Sequence, residues 1–142
     1  MPLINFYLDY FAQGKPAHVP MERMHVGEAV DQVLASGGIP VVAHPGLNFK
    51  GKEARVSGLL DAGIRGLEVF NNYHTEEQSE FFAGLAKKHK CRITCGSDYH
   101  GKTKPRIRLG MYGDPGSHRS DLEESMEYWA DLARHTTGKL TL

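Results

Sequence analysis

Arg92-Ile93-Thr94-Cys95-Gly96-Ser97-Asp98-Tyr99-His100-Gly101 opens as a strand, halts at a glycine, then presents an aspartate and a histidine two residues apart. Alternate side chains of an extended backbone point to one side, so Asp98 and His100 are placed to face one pocket. A hard carboxylate oxygen beside an imidazole suits a divalent metal such as Zn, Mn or Fe. Earlier in the chain, Ala43-His44-Pro45-Gly46 closes the apolar run Ile39-Pro40-Val41-Val42-Ala43 in the same manner. A third short run, Gly66-Leu67-Glu68-Val69-Phe70, lies between them. Short, nearly continuous apolar runs are the pattern of strands covered on both faces.

Helical stretches separate these runs. Residues 27–36 carry Ala29, Val30, Val33 and Leu34 on one side and stop at Gly37-Gly38. Residues 52–62 turn Val56, Leu59 and Leu60 inward before Gly63. Thr75 with Gln78 three residues later makes a capping box. The helix it opens is expected to bury Phe81, Phe82, Leu85 and Ala86, and its basic end, Lys87-Lys88-His89-Lys90, suits a helix C-terminus. Beyond Cys95 the pattern predicts a short strand near residues 109–111 and a turn at Asp114-Pro115-Gly116. A last helix follows, capped by Ser120 with Glu123 and facing inward with Leu122, Met126, Trp129 and Ala133. Residues 136–142 read as a loose tail.

At the other end, Phe6, Tyr7, Tyr10 and Phe11 recur at helical spacing until Gly14-Lys15-Pro16 breaks it, the mark of a core stripe or a docking face. Strand, helix, strand, helix, strand is the rhythm of an α/β fold with a parallel sheet. In such folds ligands gather at the C-terminal strand ends. His44, Asn71-Asn72 and the Asp98/His100 pair all fall there.

The 142 residues allow one domain with a real core. Seventeen basic residues balance seventeen acidic ones, so net charge makes no case for nucleic-acid or membrane affinity, and an anionic substrate would be held locally. Ile39 to Ala43 is far too short to span a bilayer, and the first residues lack a signal-peptide pattern, so the expected location is cytoplasmic. Cys91 and Cys95 on one strand would sit about 13 Å apart, too far for a disulfide, and read as buried reduced thiols.

Glu68, inside an apolar strand, needs a partner; it either lines the pocket, supports a ligand histidine, or pairs with a neighbouring strand. His74 sits on a loop at the active end of the sheet, where it contacts substrate or simply precedes the helix cap. His118 is a weaker case of the same kind, and His18, His25, His89 and His135 read as surface residues. Lys102, Lys104, Arg106 and Arg108 follow the Asp98/His100 pair; such a run is either a solvated face or a phosphate-holding one, with Lys102 and Lys104 the nearer candidates. Nothing here resembles a nucleophile elbow or a phosphate-cradling glycine loop.

Gly37 to Gly46, Gly66 to Phe70 and Gly96-Ser97-Asp98-Tyr99-His100-Gly101 together resemble the C-terminal half of the PHP (polymerase and histidinol phosphatase) domain, in the branch that dephosphorylates nucleotides and trims short RNA. Phe6 to Pro20, with Gly14-Lys15-Pro16-Ala17, resembles the tail of that branch's helical insertion. The resemblance implies residues 1–24 as insertion tail and residues 25–142 as the C-terminal part of a distorted (β/α)7 barrel. It implies His44, Asp98 and His100 as ligands to divalent metals, and hydrolysis of phosphate esters by metal-activated water. The family's opening H-x-H and its second ligand motif do not occur in this sequence. The expectation is therefore a fragment of a phosphoesterase, inactive or weakly active alone, whose open barrel is covered by an N-terminal half or by self-association. A non-catalytic anion- or partner-binding module, or another barrel-type metal-dependent hydrolase such as an amidohydrolase, are the alternatives.

Overall fold

Each of the three apolar runs forms a strand. In a computed structural model, which describes residues 3–137, β1 (Val41–Val42), β2 (Gly66–Asn71) and β3 (Arg92–Gly96) make one parallel sheet in the order β1-β2-β3. The register pairs Val42 with Leu67 and Leu67 with Ile93, and an irregularity falls between Glu68 and Phe70. The helices are α1 (Leu3–Tyr10), α2 (Val26–Ala35), the single turn α3 (Pro45–Asn48), α4 (Val56–Asp61), α5 (Glu76–Lys88) and α6 (Arg119–Thr137). The α/β class and the parallel sheet are thus as expected; three strands do not make a closed barrel.

The core forms where helices meet the sheet. Leu67, Val69 and Phe70 of β2 and Ile93 of β3 pack with Val56, Leu60, Phe82, Ala86 and Leu122. Burying one such side chain stabilises the fold by about 1.5–3 kcal/mol. The capping box forms as read, with Gln78 N–H donating to Thr75 Oγ1 and Thr75 N–H to Gln78 Oε1.

The sheet's two edges are treated differently. Ile93 N–H donates to Ser125 Oγ at 3.2 Å and Ile93 C=O accepts from Trp129 Nε1 at 3.1 Å, so α6 satisfies the outer edge of β3. Arg92 adds an ion pair to Glu124 and lies 4.6 Å over the Tyr128 ring. Among the described residues β1 pairs only with β2, and Val41 is 39 % exposed.

Several expectations need correction. Residues 109–111 form a turn, not a strand: Gly110 has φ +81°, and Leu109 is 82 % exposed. The last helix begins at Arg119, continuing a 3-10 turn at Gly116–His118, so Ser120 and Glu123 do not cap it. Its inner face carries Leu122, Ser125 and Trp129, while Met126 and Ala133 are exposed. The helix also runs on through Thr137; of the expected loose tail, residues 138–142 lie outside the described residues. Phe81 faces solvent at 42 % exposure, as do Val33 and Leu34 of α2. Cys91 and Cys95 are free, but only half-buried.

Candidate metal centre

The site is assembled where β1, β2 and β3 end. His44 stands two residues beyond the first strand and Asp98 two residues beyond the third, and both hold left-handed backbone, at φ 31° and 52°. Non-glycine residues adopt that conformation at a cost of order 1–3 kcal/mol and only where their surroundings enforce it.

The enforcing contacts can be named. His44 N–H donates to Glu68 Oε2 at 2.5 Å, so the carboxylate in the middle strand holds the backbone of the first. Glu68 also crowds β3, since a Cβ at Gly96 would run into its Oε1. His74 donates from Nδ1 to Val69 C=O at 2.8 Å and accepts Gly46 N–H on Nε2 at 3.0 Å. With one nitrogen donating and the other accepting, that ring is neutral, and burial pushes its pKa down. His74 is thereby a brace for the loop that carries His44, with neither ring nitrogen left for a substrate.

The third strand's exit is laced to the second. Asn71 Nδ2 donates to Gly96 C=O at 3.0 Å, and Asn72 Nδ2 donates to Ser97 C=O. Tyr73 then bridges the two halves: its ring stands edge-on to His44 at 6.3 Å between centroids, and its hydroxyl donates to Asp98 Oδ2 at 2.7 Å. Lys104 Nζ lies 2.5 Å from the same carboxylate oxygen and 2.8 Å from the tyrosine hydroxyl. The lysine, and after it the tyrosine, hold the Asp98 carboxyl below the usual carboxylate range. His100 donates from Nδ1 to Asp98 C=O at 2.6 Å, so Nε2 is the ring nitrogen that this bond does not use. Metal-ligating imidazoles commonly have their other nitrogen oriented by a carbonyl in this way.

Donor chemistry here suits a divalent cation in part. His44 Nδ1 is buried without a hydrogen-bond partner, an unusual and costly condition for a polar atom. Asp98 already carries a cation, the Lys104 ammonium. Among the described residues, however, no three His, Cys, Asp or Glu side chains gather closely enough to hold a metal ion. The fit is to a share of a site.

Of the other residues singled out in the sequence, Lys102 stands exposed on the 3-10 turn Gly101–Thr103. Ile4, Phe6, Tyr7 and Phe11 face His100, Lys102 and Lys104 across an open groove. His118 lies away from Asp98, tied to Glu80 and Asp121, and His89 is half-buried between Ser57 and Asp61 rather than at the surface. Tyr73 is the residue that sequence reasoning missed; its place two residues after the end of β2, level with Asp98, was the signal available.

Comparison with known proteins bears on this geometry. No family model matches the chain. It is 33 % identical over 94 residues to a 3',5'-nucleoside bisphosphate phosphatase of Chromobacterium violaceum, covering 64 % of this chain and 33 % of that protein. It is 31 % identical over 111 residues to the 5'-3' exoribonuclease Rnm of Salmonella typhimurium, covering 76 % and 38 %. Among solved structures, a Bifidobacterium adolescentis protein assigned as a metal-dependent phosphoesterase superposes with TM-score 0.63 at 27 % identity, over 82 % of this chain and 42 % of that one. An amidohydrolase of Chromobacterium violaceum superposes with TM-score 0.59 at 27 % identity, over 78 % and 39 %. The chain spans between a third and about two fifths of the length of these relatives.

Proposed function

We propose that this chain is the C-terminal part of a PHP-type, metal-dependent phosphoesterase acting on nucleotides or short oligonucleotides. One observation carries the reading. Two ligand-type residues, His44 and Asp98, are held in left-handed backbone at two strand ends by side chains of the strand and loop between them, and His44 presents a buried, unpartnered nitrogen. Strain of this kind concentrates at functional sites. Similarity to a nucleoside bisphosphate phosphatase and to an exoribonuclease supports the substrate class.

In this reading His44 Nδ1, Asp98 and His100 Nε2 are the chain's contribution to a divalent-metal site, Mn, Zn or Fe by donor type. A bound ion would supply an activated water and neutralise phosphoryl charge. The chain's own residues do the rest. Glu68 and His74 fix the loop bearing His44, Tyr73 orients Asp98, and Lys102 and Lys104 offer cations to phosphate. The exposed rings of Phe6, Tyr7 and Phe11, in the segment read as an insertion tail, offer a stacking surface for a base across the groove from those lysines.

Alone, the chain is expected to turn over such substrates weakly or not at all, because its described residues gather fewer than three converging donors. The test is Mn2+-dependent release of phosphate from a nucleoside 3',5'-bisphosphate, and shortening of a short RNA, by this chain and by the chain joined to an upstream H-x-H segment. Activity that appears only in the joined protein and vanishes in His44→Ala supports the proposal. Strong turnover by the isolated chain overturns the partial-site reading; amide hydrolysis by the joined protein, with no phosphate release, would favour the amidohydrolase alternative.

A further inference from the structure

The loop after His100 alternates cations with uncharged residues: Lys102, Lys104, Arg106 and Arg108 are interleaved with Thr103, Pro105, Ile107 and Leu109. Turns fix its course, with Thr103 N–H donating to His100 C=O at 3.2 Å, Ile107 N–H to Lys104 C=O at 3.0 Å and Met111 N–H to Arg108 C=O at 3.2 Å. Two open grooves meet at this loop. The first, of about 1140 Å3, runs between the rings of Phe6, Tyr7 and Phe11 and the side chains of His100, Lys102 and Lys104. The second, of about 430 Å3, is lined by Tyr99, Pro105, Ile107, Arg108 and Leu109, with Lys102 again part of the lining. Lys102 therefore belongs to both. Resting on the nucleotide reading above for the class of ligand, we infer that the two grooves take neighbouring bases of one single-stranded nucleic acid, with the phosphate between them on Lys102, and that this grip needs no metal.

Charge decides the occupant. Neither lining contains an aspartate or a glutamate. The Lys104 ammonium is committed to Asp98, whereas Lys102 and Arg108 are exposed and have no ion-pair partner among the described residues. Apolar troughs bordered by unpaired cations suit a ligand that is apolar on its faces and anionic along its backbone. A single nucleic-acid strand meets both conditions, because every base has a π-face and every linkage carries a charge. An acidic peptide brings the charge without a flat ring at each residue. The protein's rings are placed for stacking. Phe6 lies 5.1 Å from Tyr10 and 5.6 Å from Phe11 between centroids, which steadies the α1 platform, while Tyr7 and Tyr99 each keep 53 % of their surface in solvent. Recognition by ring faces and phosphate charge makes no use of a 2'-hydroxyl, so DNA and RNA strands serve equally. His100 lines the first groove, so a strand held there passes beside the Asp98/His100 pair.

Fluorescence anisotropy of a labelled oligothymidylate of about eight nucleotides, titrated with this chain in EDTA, tests the inference. Binding is expected, and an oligouridylate of the same length should compete with comparable affinity. A dinucleotide should displace the probe at least about tenfold better than a mononucleotide, and a strand of the same length without bases should bind at least about tenfold more weakly. Tyr7→Ala and Tyr99→Ala should each weaken binding about fivefold or more without changing its salt dependence. Lys102→Gln should instead lower the slope of log affinity against log salt by about 0.7, the share of one phosphate contact. Tyr99→Phe and Lys102→Arg should retain wild-type binding, and circular dichroism checks that each variant is folded. Equal binding of the baseless strand, equal competition by mononucleotide and dinucleotide, or displacement by polyglutamate as effective as by an oligonucleotide overturns the inference in favour of a merely cationic surface. Absence of binding in EDTA also overturns it, and leaves the phosphoesterase reading to its own Mn2+-dependent assay. Binding with these signatures, alongside a joined protein that releases no phosphate, upholds the grooves and overturns only that reading.

Discussion

Two glycines near the site are constrained by different neighbours, and the difference predicts different phenotypes. A Cβ at Gly46 would lie 2.6 Å from His74 Cδ2, and that ring cannot retreat because both its nitrogens are bonded. Gly46→Ala is therefore expected to cost about 1–3 kcal/mol, read as a fall in the urea midpoint at unchanged slope. At Gly96 the obstacle is the far end of Glu68, a flexible side chain. Gly96→Ala should cost less stability, yet displace the carboxylate that holds His44 N–H, read as loss of the His44 amide's hydrogen-bonded chemical shift. Equal destabilisation by the two substitutions would contradict this account. At this scale the sequence was informative about residue types: strand-end His44, Asp98 and His100 were legible from pattern alone, as was the need of Glu68 for a partner. It could not reveal that the partner was a backbone amide one strand away, nor that Asp98 was claimed by Lys104, because both depend on strand order and register.

At the scale of elements, α6 shows what periodicity can and cannot supply. Leu122 and Trp129 were legible as inward residues, but positions 125 and 126 fit a helical stripe equally well, and hydrophobicity favours the methionine. The structure buries Ser125 because Ile93 N–H, on the outer edge of β3, needs an acceptor. Ser125→Ala should leave that donor unsatisfied and cost about 1–3 kcal/mol, more than the exposed Met126→Ala, in denaturant titrations. A second tie joins the start of α6 to α5: His118 Nε2 lies 3.0 Å from Glu80 Oε2 and Nδ1 lies 3.4 Å from Asp121 Oδ2. The bond to Glu80 above all raises the pKa of His118 over its ordinary value. A raised folded-state pKa contributes stability that is fully present below about 6.5 and is lost as pH climbs through the folded value. His118→Gln should therefore lower the melting temperature at pH 5.5 and have little effect at pH 8.5, with a contribution of at most about 1 kcal/mol for so exposed a pair. An equal loss at both pH values would mean that packing against Phe70, 6.4 Å away between ring centroids, matters more than charge.

For the whole molecule, the asymmetry between the sheet's edges decides what the surface does. Ser125 and Trp129 of α6 occupy the outer edge of β3, whereas β1 is two residues long, pairs only with β2 among the described residues, and exposes Val41. Val33 and Leu34 of α2 and the aromatic residues of α1 add exposed apolar area. Parallel strands are ordinarily buried on both sides, and an open edge is a template for pairing with another chain. This chain covers 33–42 % of the relatives it matches, and under the proposed reading the same surface is where the rest of such a protein would pack. The α/β class was readable from the order of the runs, but no local pattern states what lies beyond an edge strand. In isolation the chain is expected to self-associate, with sedimentation velocity showing a concentration-dependent rise in mass. Val41→Lys, which places a charge on the open edge without touching the core, should reduce that association while leaving helix content by circular dichroism unchanged. A chain that stays monomeric at every accessible concentration would mean that β1 and α2 shield their own edge, and would count against the proposal that another chain or segment packs there.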